Sequence, residues 1–370
     1  MNSYHLAIRG GRRNPIPEHL NSLPKSTLAE TPGITLQGSR DTAQYKIEPS
    51  SAAVSDRELS TPAKSNIGTV SKPKSRQEFR IAIFCALVIE SDAVLSLMDQ
   101  HWNRRDYGKV ANDPNSYSLG TLGGHNVVII HLPGMGKGVA ASAASSCRVS
   151  FPGIKLALVV GICGGVPFGS GNVERILGDV IISDGLVQYD FGRQFPQQFK
   201  RKRTLHDSHG RPDSEIRGFL ARFGGRESLL KTLRVARGYL TSLRAAERIP
   251  TELIYRYPGA EEDVLHQPTS LHKHSEASKC PDWENTCGSV GACELAQSLD
   301  CQQLNCDTNQ LVARQRLQAF AKNASTDPSE MLELHIGTIA SGDKVMKSGA
   351  ERDRVANEEG IIAFEMEGAG

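Results

Sequence analysis

Apolar positions in this 370-residue chain fall into two regimes, with the break at Phe79. From there, Arg80-Ile-Ala-Ile-Phe-Cys-Ala-Leu87 has the length and branched content of a buried strand. Glu90 to Asp99 follows in a helical period, with Ala93, Val94, Leu97 and Met98 as one face. Tyr117 to Asn126 predicts a hairpin that turns at Gly123-Gly124. Val127 to Leu132 is the next strand, ending at Pro133-Gly-Met-Gly-Lys-Gly138. A small-residue helix, Val139 to Ser146, leads to a strand at Leu156 to Val160 and a glycine-rich turn, Gly161-Ile-Cys-Gly-Gly165. Asp179 to Asp184 and the alternating Leu332 to Ala340 predict two more strands, and Leu229 to Ile249 a helix. A charged amphipathic helix, Gly349 to Glu359, precedes a last apolar run, Ile361 to Phe364.

Twice an apolar strand runs into a glycine cluster, with helices between. That is the grammar of an α/β sheet whose ligand sits at the carboxyl ends of its strands. Glycine there permits positive φ and close backbone approach to a ligand. Residues 1–78 are different: 11 Ser, 6 Thr and 7 Pro against two aromatics, Tyr4 and Tyr45, predict a disordered tail. The domain is therefore expected at 79–370, interrupted by a long polar insertion at about 258–330.

The final run continues into Glu365-Met366-Glu367. If the strand stays extended to Glu367, both carboxylates face one side and Met366 the other. Charges at the end of a buried strand are costly unless they are paired or act on a ligand. The wider balance, 43 basic against 41 acidic residues, gives no global argument for nucleic acid or membrane partners. Lys200-Arg-Lys-Arg203 admits a nuclear signal, but four charges are ordinarily a solvated loop. With no secretory pattern and eight cysteines, reduced thiols in a cytoplasmic protein are the expectation. Cys280, Cys287, Cys293, Cys301 and Cys306 crowd the insertion, near His272 and His274. Their spacings fit no paired C-x₂-C zinc pattern, so neither a metal nor another cofactor is expected.

Several familiar motifs fail. Gly134-x-Gly136 starts like a dinucleotide fingerprint, but Val139 stands where the third glycine belongs and no acid follows at the required distance. Gly136-Lys137 is no phosphate-binding loop, because His131 and Gly138 occupy its key positions. There is neither a G-x-S-x-G elbow nor an H-E-x-x-H pair.

What survives is an ordered set: Phe84-Cys-Ala-Leu-Val-Ile-Glu90, Pro133-Gly-Met-Gly-Lys137, Gly161-Ile-Cys-Gly-Gly165, Leu177-Gly-Asp-Val180, Val187-Gln-Tyr-Asp-Phe-Gly192, Ala340-Ser-Gly-Asp343 and Phe364-Glu-Met-Glu367. This set resembles the nucleoside phosphorylase and nucleosidase superfamily, in particular methylthioadenosine/S-adenosylhomocysteine nucleosidases and the phosphorylase-like domains of fungal multidomain proteins. The resemblance implies an α/β three-layer sandwich with a central mixed, partly barrel-like sheet, usually oligomeric, that cleaves the N-glycosidic bond of a nucleoside, here a purine one. By family position Glu90 would activate water. Glu367 would hold the ribose hydroxyls, with Met366 packing on the sugar. Gly136 and the segment Gly161, Cys163, Gly164 and Gly165 would line the nucleoside, and Ser341 and Asp343 would lie near the base. The alternative role for Glu90 is a helix N-terminal acid favoured by the macrodipole.

Phosphorolysis would require cations around phosphate. The resemblance places one such arginine at Val159, and the Gly-Asp-Pro-x-x-Arg loop of phosphorylases is replaced by Cys85 to Glu90. A nucleosidase is therefore favoured. In the family, Glu-Met-Glu leads to a helix and a strand bearing the aspartate that protonates the base. The sequence ends at Gly370, which implies a fold without its last strand and helix, and an enzyme impaired by roughly 10²- to 10⁴-fold. The competing expectation is a non-catalytic nucleoside-sensing or interaction module.

Overall fold

The computed structural model describes residues 3–10, 71–169, 173–204, 206–245, 259–289, 291–322 and 327–370. Residues 3–10 group with the body of the chain, and the segment 12–65 lies outside the described residues. The strands are β1 (Ser3–Gly10), β2 (Ile81–Cys85), β3 (Gln100–Trp102), β4 (Ser116–Leu122), β5 (His125–His131), β6 (Leu156–Gly165), β7 (Val180–Gln188), β8 (Gly192–Gln194), β9 (Phe199–Arg201), β10 (Leu334–Ser341) and β11 (Ala363–Glu365). The helices are α1 (Val88–Ser96), α2 (Lys137–Ser150), α3 (Ser214–Phe223), α4 (Arg226–Ala245), α5 (Glu294–Ser298), α6 (Gln315–Lys322) and α7 (Gly349–Glu359). No helix among the described residues is long and apolar enough to cross a membrane.

Nine strands form one mixed sheet in the order β1-β7-β10-β11-β6-β2-β5-β4-β3. Period-two alternation decides what covers it. Ala82 and Phe84 of β2, with Val128 and Ile130 of β5, pack on Ala140, Ala143 and Cys147 of α2. Ile83 and Cys85, with Val127 and Ile129, face Val94 of α1 instead. Helices therefore cover both faces, giving the three-layer α/β arrangement expected. Phe79 marks the start of this core: it is fully buried, edge-on to Tyr107 and Phe151. The Gly123-Gly124 hairpin forms as read, both residues having positive φ.

Three expectations need correction. Residues 3–10, within the stretch expected to be a disordered tail, form β1, which pairs antiparallel with β6 and parallel with β7. Because β1 joins both, the part β1–β7–β10–β11–β6 curls back on itself. Second, Gly161–Gly165 is not a turn after a strand but the second half of β6, and its last two residues pair with Phe364 and Ala363 of β11. Third, β11 does not stay extended to Glu367. It stops at Glu365, whose Oε2 accepts the amides of Glu367 at 2.8 Å and Gly368 at 2.7 Å. A carboxylate that bonds amides two and three residues onward fixes a turn and breaks the alternation.

Candidate active site

β6 is shared between two directions of chain. Its first half, Leu156–Val159, pairs parallel with β2, and its end, Gly164–Gly165, pairs antiparallel with β11. The carboxyl ends of β2 and β11 therefore meet level with Gly161–Cys163, between the two pairings. A change of strand direction of this kind opens a crevice in α/β sheets.

Glu90 enters this region from α1. Its Oε2 accepts the amides of Ala86 at 2.8 Å and Leu87 at 3.0 Å, so it caps its own helix. Its Oε1 reaches across to the amide of Ile162 in β6 at 2.8 Å. Gly161 makes this approach feasible, since a Cβ there would lie 2.5 Å from Glu90 Oε1. The neighbouring Cys85 thiol is pushed up to about 12 by burial and then by the Glu90 charge, so it is no nucleophile near neutrality.

From the other side, Glu367 Oε1 accepts the amide of Gly136 at 3.2 Å, just before α2. Gly136 has φ +115°, a conformation L side chains rarely adopt. The next amide, of Lys137, donates to Asp343 Oδ1 at 2.9 Å. Two orphan amides at the start of α2 are thus taken by carboxylates from the far end of the chain, where the helix dipole favours negative charge.

Lys137 and Asp190 lie in two of the motif segments but have no role that the sequence itself points to. Lys137 Nζ sits 2.6 Å and 2.7 Å from the two Asp190 oxygens and 3.4 Å from Asp343 Oδ2. Asp190 Oδ2 also accepts the Asp343 amide at 2.8 Å. Burial works against the Asp190 charge, but the Lys137 ammonium and the Asp343 amide hold its carboxyl below the usual range. The signal was an acid in Val187-Gln-Tyr-Asp-Phe-Gly192 and a lysine in the glycine loop, whose pairing no linear spacing reveals.

The remaining expected site residues divide. Gly161, Gly164 and Gly165 lie in β6 beside the crevice, and Met366 is half-buried in the turn after β11. The Cys163 side chain, by contrast, packs among Ile181, Ile339 and Ala363 in the sheet interior. Ser341 is fully buried, and its Oγ accepts the amide of Ala369 at 2.9 Å. Asp343 is exposed and spends one oxygen on α2. A cavity of about 630 Å³ lies further along, past the end of β6, lined by Val166, Pro167, Arg175, Leu265, Arg352 and Ile361 rather than by Glu90 or Glu367.

Residues 80–243 match the model of the phosphorylase superfamily, which bears out the resemblance drawn from the motifs. A nucleotide-binding leucine-rich repeat (NLR)-like protein of Hyaloscypha variabilis is 29% identical over 301 residues, covering 80% of this chain and 25% of that protein. The chain thus spans about a quarter of the length of the relative it matches. Similar solved structures include the 5′-methylthioadenosine/S-adenosylhomocysteine nucleosidase of Helicobacter pylori, 13% identical with a TM-score of 0.37 over 79% of this chain and 76% of that one. The enzyme of the same name from S. pneumoniae is 15% identical, with a TM-score of 0.32 over 79% and 76% of the two chains.

Proposed function

We propose, from the phosphorylase-superfamily match and the site's geometry, that this domain binds a purine nucleoside at Gly161–Cys163 and hydrolyses its N-glycosidic bond. One observation carries the reading: two carboxylates, each at least nine-tenths buried, approach the crevice from distant parts of the chain, Glu90 reaching from α1 to β6 and Glu367 beside α2. In the proposed step, water attacks C1′ while the bond from C1′ to the base nitrogen breaks, through an oxocarbenium-like state. Glu90 takes the proton of the attacking water, the bond's electron pair leaves on the base, and the base gains a proton from solvent. Glu367 accepts hydrogen bonds from the ribose hydroxyls, exchanging the Gly136 amide for them.

Hydrolysis is favoured over phosphorolysis on charge. The amides of Gly136 and Lys137, which an anion would seek, are bonded to Glu367 and Asp343, and the Lys137 ammonium is clamped by Asp190 and Asp343. A phosphate entering there would meet three carboxylates. A second reading has its own support: Glu90 already accepts three amides, as a purely structural helix cap would. On that reading the domain holds a nucleoside and does no chemistry.

Base release from a panel of purine nucleosides, measured with and without phosphate beside a thermal-shift titration, separates these outcomes. Release independent of phosphate supports the nucleosidase, and a shift without release supports the binding module. No shift and no release would remove the nucleoside reading.

A further inference from the structure

The polar insertion holds five of the chain's eight cysteines, and the fold sorts them into two groups that chain spacing conceals. Cys280, Cys287 and Cys293 are all buried, with their sulfurs within 4.8 Å of one another. His272, Cys301 and Cys306 form a second set within the same limit, nearer the surface. We propose that each set binds one zinc ion and that the two ions staple the insertion together.

The first set is built as a sulfur site. Cys287 Sγ accepts the amide of Cys293 at 3.4 Å, and Cys293 Sγ accepts the amide of Ala296 at 3.4 Å. Amides aimed at sulfur fix the orientation in which it would ligate. A tetrahedral zinc with bonds of about 2.3 Å places its sulfurs about 3.8 Å apart, so the three need move inward by less than about 1 Å. Lys273 Nζ donates to the Cys287 carbonyl at 2.7 Å and to that of Ser289, setting a cation beside a site whose three thiolates exceed the ion's charge. Three mutually close thiols are also a poor arrangement for a disulfide, which would leave the third buried and alone.

In the second set the histidine's proton is fixed by its partner. His272 Nε2 lies 2.9 Å from the Leu299 carbonyl, which can only accept, so Nε2 carries the hydrogen. Nδ1 is left with its lone pair directed between Cys306 Sγ at 3.5 Å and Cys301 Sγ at 3.7 Å. A backbone carbonyl behind a histidine, with the other nitrogen toward thiols, is the tautomer a metal requires. The exposed side of His272 leaves a fourth position to solvent.

The insertion also needs such a staple. Between Cys280 and Cys306 the buried cluster is the three thiols with Ala296 and Leu304, flanked by half-buried Trp283, Ala292 and Leu299, and the regular structure there is short turns and the five-residue α5. A core of that size is too small to hold a segment unaided, and metal binding converts directly into folding free energy.

The test is metal analysis of the full chain, purified with a thiol reductant and no chelator. The expected content is roughly two zinc ions per chain, falling to about one in C280S/C293S and to about one in H272A/C306S. Because unfolding of a variant would also release zinc, cobalt is titrated into the metal-stripped wild-type chain as well. Intense sulfur-to-cobalt charge transfer with tetrahedral visible bands is expected, saturating near two equivalents. Zinc below about a tenth of an ion per chain, with no cobalt–thiolate absorption, would overturn the proposal. So would mass-spectrometric recovery of these cysteines as disulfides under the same conditions.

Discussion

Glu367 and Gly136 stand 231 residues apart and share a hydrogen bond of 3.2 Å. That contact ties the turn after β11 to the first turn of α2 and puts a buried carboxylate where a helix presents its amides. On the function proposed above, ribose binding at this point is an exchange of partners rather than the filling of a void.

Glu367→Gln should consequently separate binding from folding. Glutamine keeps one oxygen for the Gly136 amide but loses the charge that strengthens bonds to ribose hydroxyls. A hydrogen bond to a charged group contributes about 1.5–3 kcal/mol, so nucleoside affinity should fall about ten- to a hundredfold while the melting temperature changes little. A thermal-shift titration that returns the wild-type dissociation constant would remove Glu367 from the sugar site.

Glu90 is tested more cleanly through its neighbour. An alanine at position 161 would bring a methyl carbon to 2.5 Å from Glu90 Oε1, so Gly161→Ala must displace the carboxylate from the Ile162 amide. If Glu90 handles water, both G161A and E90Q should lower base release by about 10²- to 10⁴-fold. If it is only a cap, each should cost about 1–3 kcal/mol of stability and leave any turnover intact. Single-turnover rates read beside urea midpoints distinguish the two.

Much of this was legible in the chain. Short apolar runs mark β2, β5 and β7 and alternation marks β10, while the charged amphipathic stretch Gly349–Glu359 is the helix α7, capped by Ser348 at one end and closed by Gly360, at φ +65°, at the other. Local signals failed where long-range pairing decides. Glycines 161–165 look like a turn until β11 supplies their partners, and a strand ending in Glu-Met-Glu looks extended until Glu365 folds back on its own amides. Cys163 looked like part of a ligand loop, but in a strand its side chain must alternate, and it falls on the interior face. Neither the Lys137–Asp190 pair nor the two thiol sets could be read, because their members meet only through the tertiary fold.

Acid should loosen the crevice first through Asp190. Its carboxyl lies below the ordinary value, roughly 3.9, so its stabilising contribution is present above that value and is lost as the pH falls through the folded one. The expected stability curve is flat near neutrality and declines below about pH 4. Asp190→Asn should reduce that decline, because the variant has no proton to gain there. An acid limb identical in D190N and wild type would mean that the Lys137 pair contributes nothing to it.

The most consequential charge for stability lies outside the crevice, at Asp179, which is fully buried at the foot of β7. Its oxygens accept from Arg316 Nη1 at 2.5 Å, His335 Nε2 at 2.9 Å, the Ile176 amide at 3.0 Å and the Glu333 amide at 3.1 Å. Burial alone would raise its pKa, yet the bonds from His335 and Arg316 bring it below the usual carboxylate range. Arg316 belongs to α6 in the insertion, so this pair pins that element to the sheet, beside a second buried contact of Arg314 with Glu174 at 2.6 Å and Asp263 at 2.8 Å. Removing Asp179 takes from Arg316 its closest counter-charge, leaving it the Glu333 carboxylate at 3.3 Å, so Asp179→Ala should cost about 3–5 kcal/mol. Replacing both, as in D179L/R316M, should recover part of that loss, because apolar groups of similar volume need no counter-charge. Urea midpoints of the two variants decide the matter: a double variant no more stable than D179A would show that the individual amide bonds, and not the ion pair, carry the stability at this position.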